Sequence, residues 1–283
     1  MADDAHGATV AKRRLSRRLL QLRVQSGYTA NHVCDMLNWG RGKVGRFEAN
    51  QWKRPEMSDI RDLLRVYDVT DSEREELEEI AILARARPWW RDYPEIFANE
   101  FPGFENDAIR IRMFMALVLP GLFQTPDYME AIMLAGARPP AWRRKATESR
   151  KRRQEILTRS DHPSPEVNAV ITEASLRYRW GSRADRREQI EHLIAVSEQP
   201  NVRLRIQRFA DGLPRGVFTS ASIFDFADSE PSLVFTETDY ALLEVSDQEE
   251  VRSYIDAFGL AADAALDPAD TTTYLRYLAE ELE

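Results

Sequence analysis

The chain has 283 residues, 43% hydrophobic and 30% charged, with a mean hydropathy of -0.50 and a net charge of -8. This length leaves room for two separate cores, and the composition excludes a disordered or fibrous polymer. A lone cysteine (Cys34), four scattered histidines and the lack of any run near the roughly 18 apolar residues that cross a bilayer exclude a disulfide framework, a zinc site and a membrane span, so a cytoplasmic protein without metal or cofactor is expected.

Residues 1–9 are small and polar and read as a disordered tip. From residue 10 to 87 the pattern is helical throughout, with Leu15, Leu19 and Leu22 forming the stripe of a first helix that Gly27 ends. Thr29 caps a second helix. A fourth begins near Ser58 or Asp59 and a fifth near Asp71 or Ser72, so that five short helices are predicted before Pro88. Residues 88–103, with Trp89, Trp90 and Tyr93, are too aromatic for a flexible tether and read as an ordered joint that packs two domains together. Beyond it, helices are expected at 104–119 and 126–135, and a long basic helix from about Ala141 to Ser160. The character then changes to short β-branched and aromatic runs at 167–172, 202–209, 220–226, 233–236 and 241–245, with helices at 173–180, 184–198, 247–264 and 270–282. Residues 104–283 are therefore predicted to form an α+β body with a small, mostly antiparallel sheet, behind a mainly α first domain.

The net charge is misleading until it is resolved along the chain. Residues 10–54 carry eleven bases against Asp35 and Glu48, a local excess of +9 that leaves -17 on the rest. A basic head on an acidic body binds polyanions with one end only.

Within that head, residues 30–47 meet the demands of two helices crossing steeply through a short turn. Val33 and Leu37 face inward four apart, and Cys34 is small where the helices approach. Asn38 suits a positive-φ turn position, Trp39 plugs the turn, and Val44 and Phe47 anchor the second helix. Basic residues occupy its unused face. Here the chain resembles the Xre family of phage-repressor-like helix-turn-helix regulators, through the stretch from Arg14 to Arg87 and the run Lys43-Val44-Gly45-Arg46-Phe47-Glu48. The resemblance implies a recognition helix from about Arg41 to Glu48 in the major groove, with Arg41, Gly42, Lys43 and Arg46 facing base edges. Arginine pairs with guanine O6 and N7 through its planar fork, and lysine reaches a guanine or a phosphate. The sequence departs from the family at Ala30, where a glutamine usually grips phosphate, and Asn31 and His32 are the neighbours placed to compensate. Lys12, Arg13, Arg14, Arg17 and Arg18 before this motif, and Lys53 and Arg54 after it, are further phosphate candidates, whereas Glu48 reads as half of an internal ion pair.

The similarity extends along nearly the whole chain. Trp89-Trp90 with Tyr93, the run from Pro120 to Tyr128 and Glu173-Ala174-Ser175-Leu176-Arg177 resemble a domain of uncharacterised function joined to Xre modules in many actinobacterial, antitoxin-like regulators. That resemblance implies a homodimer, a regulatory body and, in some cases, a small partner protein encoded nearby. The expected function is therefore a transcriptional regulator reading a near-palindromic operator on double-stranded DNA, with an antitoxin-like interaction protein as the rival. An enzyme is a distant third. Glu173 and Arg177 are spaced for a helical salt bridge, His192 lies in an amphipathic helix, and 212–216 lacks the strand-loop-helix context of a phosphate cradle.

Overall fold

The computed structural model describes residues 7–52, 54–160, 162–216, 219–228, 230–238 and 241–282. The chain divides into two compact units between Asp92 and Tyr93.

Among the described residues the first unit has five α-helices: α1 (Ala8–Gln25), α2 (Ala30–Met36), α3 (Lys43–Glu48), α4 (Met57–Val66) and α5 (Asp71–Ala84). Helix α1 starts inside the stretch read as a tip, because Thr9 and Val10 are buried and hold the first turn against the core. Residues 1–6 lie outside the described residues. Thr29 and Thr70 cap α2 and α5 by accepting from the amides of His32 and Glu73, which satisfies donors that a helix start leaves free. One continuous core joins Leu15, Leu19 and Leu22 of α1 to Val33 and Cys34, Val44 and Phe47, Ile60, Leu63 and Leu64, and Leu77 and Ala81. A 3-10 turn at Trp89–Asp92 ends the unit, with Arg87 paired to Asp92 at 2.8 Å.

The second unit opens with α6 (Phe101–Asp107) and then β1 (Arg110–Met115). This corrects the expected helix over 104–119. Arginine and methionine are good helix formers, but pairing on both edges overrides propensity, and Ile111, Met113 and Phe114 are buried as the third strand of a six-stranded sheet. Two of the flanking charges pair across strands, Arg110 with Glu166 at 3.0 Å and Arg112 with Asp225 at 2.5 Å. Helix α7 (Pro126–Ala135), α8 (Pro140–Gln154) and a 3-10 turn at Glu155–Leu157 lead to β2 (Glu166–Thr172). Helix α8 thus stops short of the predicted Ser160. A four-residue α9 (Ala174–Arg177) and α10 (Arg183–Ser197) lead to β3 (Val202–Gln207). Strands β4 (Ala221–Asp225), β5 (Leu233–Glu237) and β6 (Leu242–Val245) follow, and α11 (Gln248–Ala264) and α12 (Pro268–Glu280) close the unit.

The sheet order is β3-β2-β1-β4-β5-β6. It is mixed: β1 with β2 and β2 with β3 are parallel, and the other three pairings are antiparallel. The two parallel pairings need crossovers, which α7–α8 and α9–α10 supply. One face packs Phe114, Val170, Ile223 and Val234 against Val251, Phe258 and Ala261 of α11. The other packs Phe224 and Phe235 edge-on to Phe101 of α6. The run from Pro120 to Tyr128 is a hydrogen-bonded hub between the crossovers. The Tyr128 hydroxyl accepts from the Leu119 amide at 3.1 Å, Gln189 of α10 binds the Phe123 carbonyl and the Thr125 amide, and Gln154 of α8 donates to the Gly121 and Gln124 carbonyls. That accounts for why a loop is buried: its backbone is satisfied by amide side chains rather than water.

Candidate nucleic-acid interface

The turn between α2 and α3 is built as the sequence demands. Asn38 has φ +53°, and the amides of Asn38 and Trp39 bond back to the carbonyls of Asp35 and Cys34, closing α2 with a left-handed cap. Helix α3 ends the same way at Asn50, φ +58°, with Gln51 bonded to Arg46. A hydrogen-bonded ion pair holds α3 from behind. Arg23 of α1 meets both oxygens of Glu48, at 2.5 and 3.0 Å, and donates to the Tyr28 carbonyl at 2.7 Å. The hydrogen bond to Glu48 outweighs the desolvation of Arg23 and holds the guanidinium firmly charged. Glu48 is thus the internal partner anticipated, and Arg23 is the residue that sequence reasoning left unassigned.

The four base-reading candidates occupy different situations. Helix α3 starts at Lys43, so Arg41 and Gly42 precede it instead of forming its first turn. Gly42 is the N-cap, at φ +82°, a conformation that L side chains rarely adopt. Arg41 and Arg46 are exposed, and the Arg46 guanidinium folds back to within 3.6 Å of where a Gly42 Cβ would stand. Gly45 has open space where its side chain would be. Val44 and Phe47 are buried on the opposite side, which leaves Gly42, Gly45 and Arg46 on one outward stripe at three-to-four-residue spacing. Lys43 is committed elsewhere. Its ammonium bonds Asp59 of α4 at 2.7 Å and lies 4.0 Å from the centre of the Trp39 ring.

The phosphate candidates also separate. Asn31 and His32 are exposed on the first turn of α2, where His32 stacks obliquely on Tyr28 with ring centres 5.4 Å apart. Arg54 is exposed, and Lys53 lies outside the described residues. Helix α1 turns its bases toward α5 instead: Arg14 pairs with Glu76 at 2.8 Å and Arg18 with Glu73. Lys12 is buried over the Trp52 ring, and Arg13 and Arg17 are half-buried with contacts inside the chain. Nothing in the sequence alone pairs α1 with α5, which is why these bases read as solvent-facing. Among the described residues Arg41, Arg46 and Arg54 form no ion pair.

In the second unit three bases of helix α8 pair with their own body, Arg143 with Glu130 at 2.8 Å, Lys145 with Glu95, and Arg153 with Glu105 at 2.6 Å. Glu173 and Arg177 form the helical salt bridge expected, at 2.9 Å. Burial works against the Glu173 carboxylate, yet donors from Tyr274, the Phe209 amide and Arg177 hold it below its ordinary range. No helix among the described residues is long and apolar enough to cross a membrane.

Comparison with known families agrees with this division. A helix-turn-helix domain model matches residues 14–77, and the model for a domain of unknown function (DUF5753) matches residues 98–277. No curated protein and no solved structure matches the chain.

Proposed function

The chain belongs to the DUF5753 family and carries a helix-turn-helix domain ahead of that family's domain, and from this premise we propose that it is a sequence-specific transcriptional regulator of the Xre type. The observation that carries the reading is the outward stripe of α3. Among the described residues Arg46 and the neighbouring Arg41 form no ion pair, and they stand beside two glycines that leave the backbone uncovered, on a helix pinned from behind by Val44, Phe47 and the Arg23–Glu48 pair. Guanidinium groups so placed can fork onto a guanine edge while Asn31, His32, Arg54 and Lys53 hold phosphates. Lys43 acts mainly on the orientation of α3. Arg13, Arg14 and Arg17 contribute less than their number suggests, since α5 carboxylates compete for that face.

The protein acts as a cytoplasmic homodimer whose two recognition helices enter successive major grooves about 34 Å apart and read a near-palindromic site. Mobility-shift titration on duplexes from its own promoter, at several salt concentrations, tests this. Arg41→Ala or Arg46→Ala should cost about 1 to 3 kcal/mol at one base position, whereas Lys53→Ala should weaken all duplexes alike. An equal loss on every duplex after Arg46→Ala defeats the recognition assignment.

One observation favours the rival reading, an antitoxin-like protein that binds a small partner and autoregulates. Leu117, Phe209 and Leu213 are exposed together around an apolar surface pocket of the second unit. Co-expression with the neighbouring gene product, followed by pull-down with Leu213→Asp as control, separates the two.

A further inference from the structure

The second unit holds a cavity of about 680 Å³, open to solvent on one side, between the sheet and α8, within the size range of sites for small organic ligands. Its walls include Met113, Met115, Leu119, Trp142 and Leu242. Two arginines enter it from one face of α8, where Arg150 and Arg153 stand three residues apart.

Their situations differ sharply. Arg153 is satisfied: it grips both oxygens of buried Glu105 at 2.6 and 2.8 Å, lies against the backbone of Gly121 where a side chain would stand 3.3 Å from its nitrogen, and covers the Phe101 ring at 5.1 Å. Arg150 is not satisfied. Its one hydrogen bond is to the amide oxygen of Gln124 at 3.3 Å, and no carboxylate lies within ion-pair distance among the described residues. Burial, and then the charge of Arg153, push its pKa down to about 10, so it remains a cation at neutral pH. The remaining acid of the lining, Glu237, is exposed at the end of β5 and acts on Arg150 only at a distance. Arg150 is half-buried, and its unused donors face the cavity, where they are free to pair with oxygens that enter it.

We infer that this cavity is a binding site for a small organic anion whose carboxylate pairs with Arg150 and whose apolar body lies between Trp142 and the methionines of β1. One negative charge is specified, not a polyphosphate, because Arg153 is already neutralised by Glu105. An apolar body is specified because the walls would leave a bare inorganic anion poorly solvated. The site stands apart from the helix-turn-helix, so failure of either reading leaves the other intact.

The test is calorimetric titration of the full chain with 2-naphthoate and with its uncharged analogue 2-naphthylmethanol. The wild type should bind naphthoate at least about tenfold more tightly, the effect of a charge-assisted hydrogen bond. Arg150→Gln should abolish that preference while leaving the alcohol unchanged, Arg150→Lys should retain part of it, and Glu237→Gln should strengthen naphthoate binding by removing a competing charge. Arg150→Gln should also melt no lower than the wild type, since it removes a half-buried cation that has no carboxylate partner among the described residues. The inference is overturned if the wild type binds neither compound, if Arg150→Gln keeps the preference, if acetate displaces naphthoate at equal concentration, or if Arg150→Gln lowers the melting temperature as a structural strut would.

Discussion

Gly45→Ala separates the stability of α3 from its use. Gly45 lies inside a six-residue helix, its φ is not positive, and a Cβ built there meets nothing within 4 Å. Alanine therefore fits without strain and removes the conformational freedom that glycine loses on folding, worth about 0.5 to 1 kcal/mol. For a domain of this size that is about 2 to 6 °C in the melting transition of the first unit, read by circular dichroism or calorimetry. On DNA the sign reverses. The added methyl occupies the outward stripe shared with Gly42 and Arg46, and an extra group forced into a close-packed interface costs about 1 to 3 kcal/mol, roughly 5- to 150-fold in affinity. A more stable, weaker-binding variant is expected in mobility shifts. A variant that is stabilised and binds DNA as well as the wild type would show that α3 does not approach the duplex there, and a destabilised one would show that position 45 is not open.

Asp59→Asn should release the Lys43 ammonium and remove a carboxylate beside α3, raising affinity for every duplex and steepening the salt dependence by about 0.9 in log-log slope; an unchanged slope means Lys43 stays on Trp39. Glu48→Gln should destabilise the first unit by about 1.5 to 3 kcal/mol in urea titration, because the side chains of Arg23 and Glu48 are only 15% and 9% exposed and the pair is lost with the guanidinium left desolvated. A loss confined to DNA affinity, with the urea midpoint intact, refutes the structural role. His192 gives a pH prediction. Its ring is half-buried in α10, Nε2 has no partner among the described residues, and burial depresses its pKa despite nearby Glu188. The unfolded chain then takes up a proton near pH 6.5 that the native state resists, so stability is full above that pH and falls as the pH drops through 6.5 toward the lower native value. His192→Phe should flatten this part of the pH-stability curve; an identical slope in the variant excludes His192 as the source.

The helix-turn-helix was legible because its constraints are local. Asn38, Cys34, Val44 and Phe47 each answer a demand set within a few residues, and the structure puts the positive φ and the buried side chains where those demands place them. Strand β1 was not legible for the opposite reason. Arg110 to Met115 favours helix by residue type, and what makes it a strand is hydrogen bonding to β2, 56 residues on, and to β4, more than 100 residues on. The same distinction runs through the site. Glu48 could be read as an internal pair, but its partner Arg23 lies on another helix, and the Asp59 that holds Lys43 begins a helix whose packing no local pattern reports. Arg150 was counted with six other bases as a charged helix face, and only the fold shows that it lines a cavity without an ion-pair partner among the described residues, whereas Arg153 beside it is held by Glu105.

Charge supplies the last step. The +9 of residues 10–54 suggests a broadly basic head, yet the acids of α4 and α5 reduce the segment through Arg87 to +4. They are not spread evenly. Glu73 and Glu76 sit against Arg18 and Arg14 of α1, and Glu48 against Arg23, so the cancellation falls on α1, while among the described residues Arg41, Arg46 and Arg54 form no ion pair. Neutralising the scaffold costs little non-specific affinity that a regulator needs and removes much that it does not, because every unpaired surface base would hold any DNA equally through its phosphates. Under the proposed function, positive charge left on and beside one short helix would let the base edges, and not the polyanion alone, decide where the protein stays.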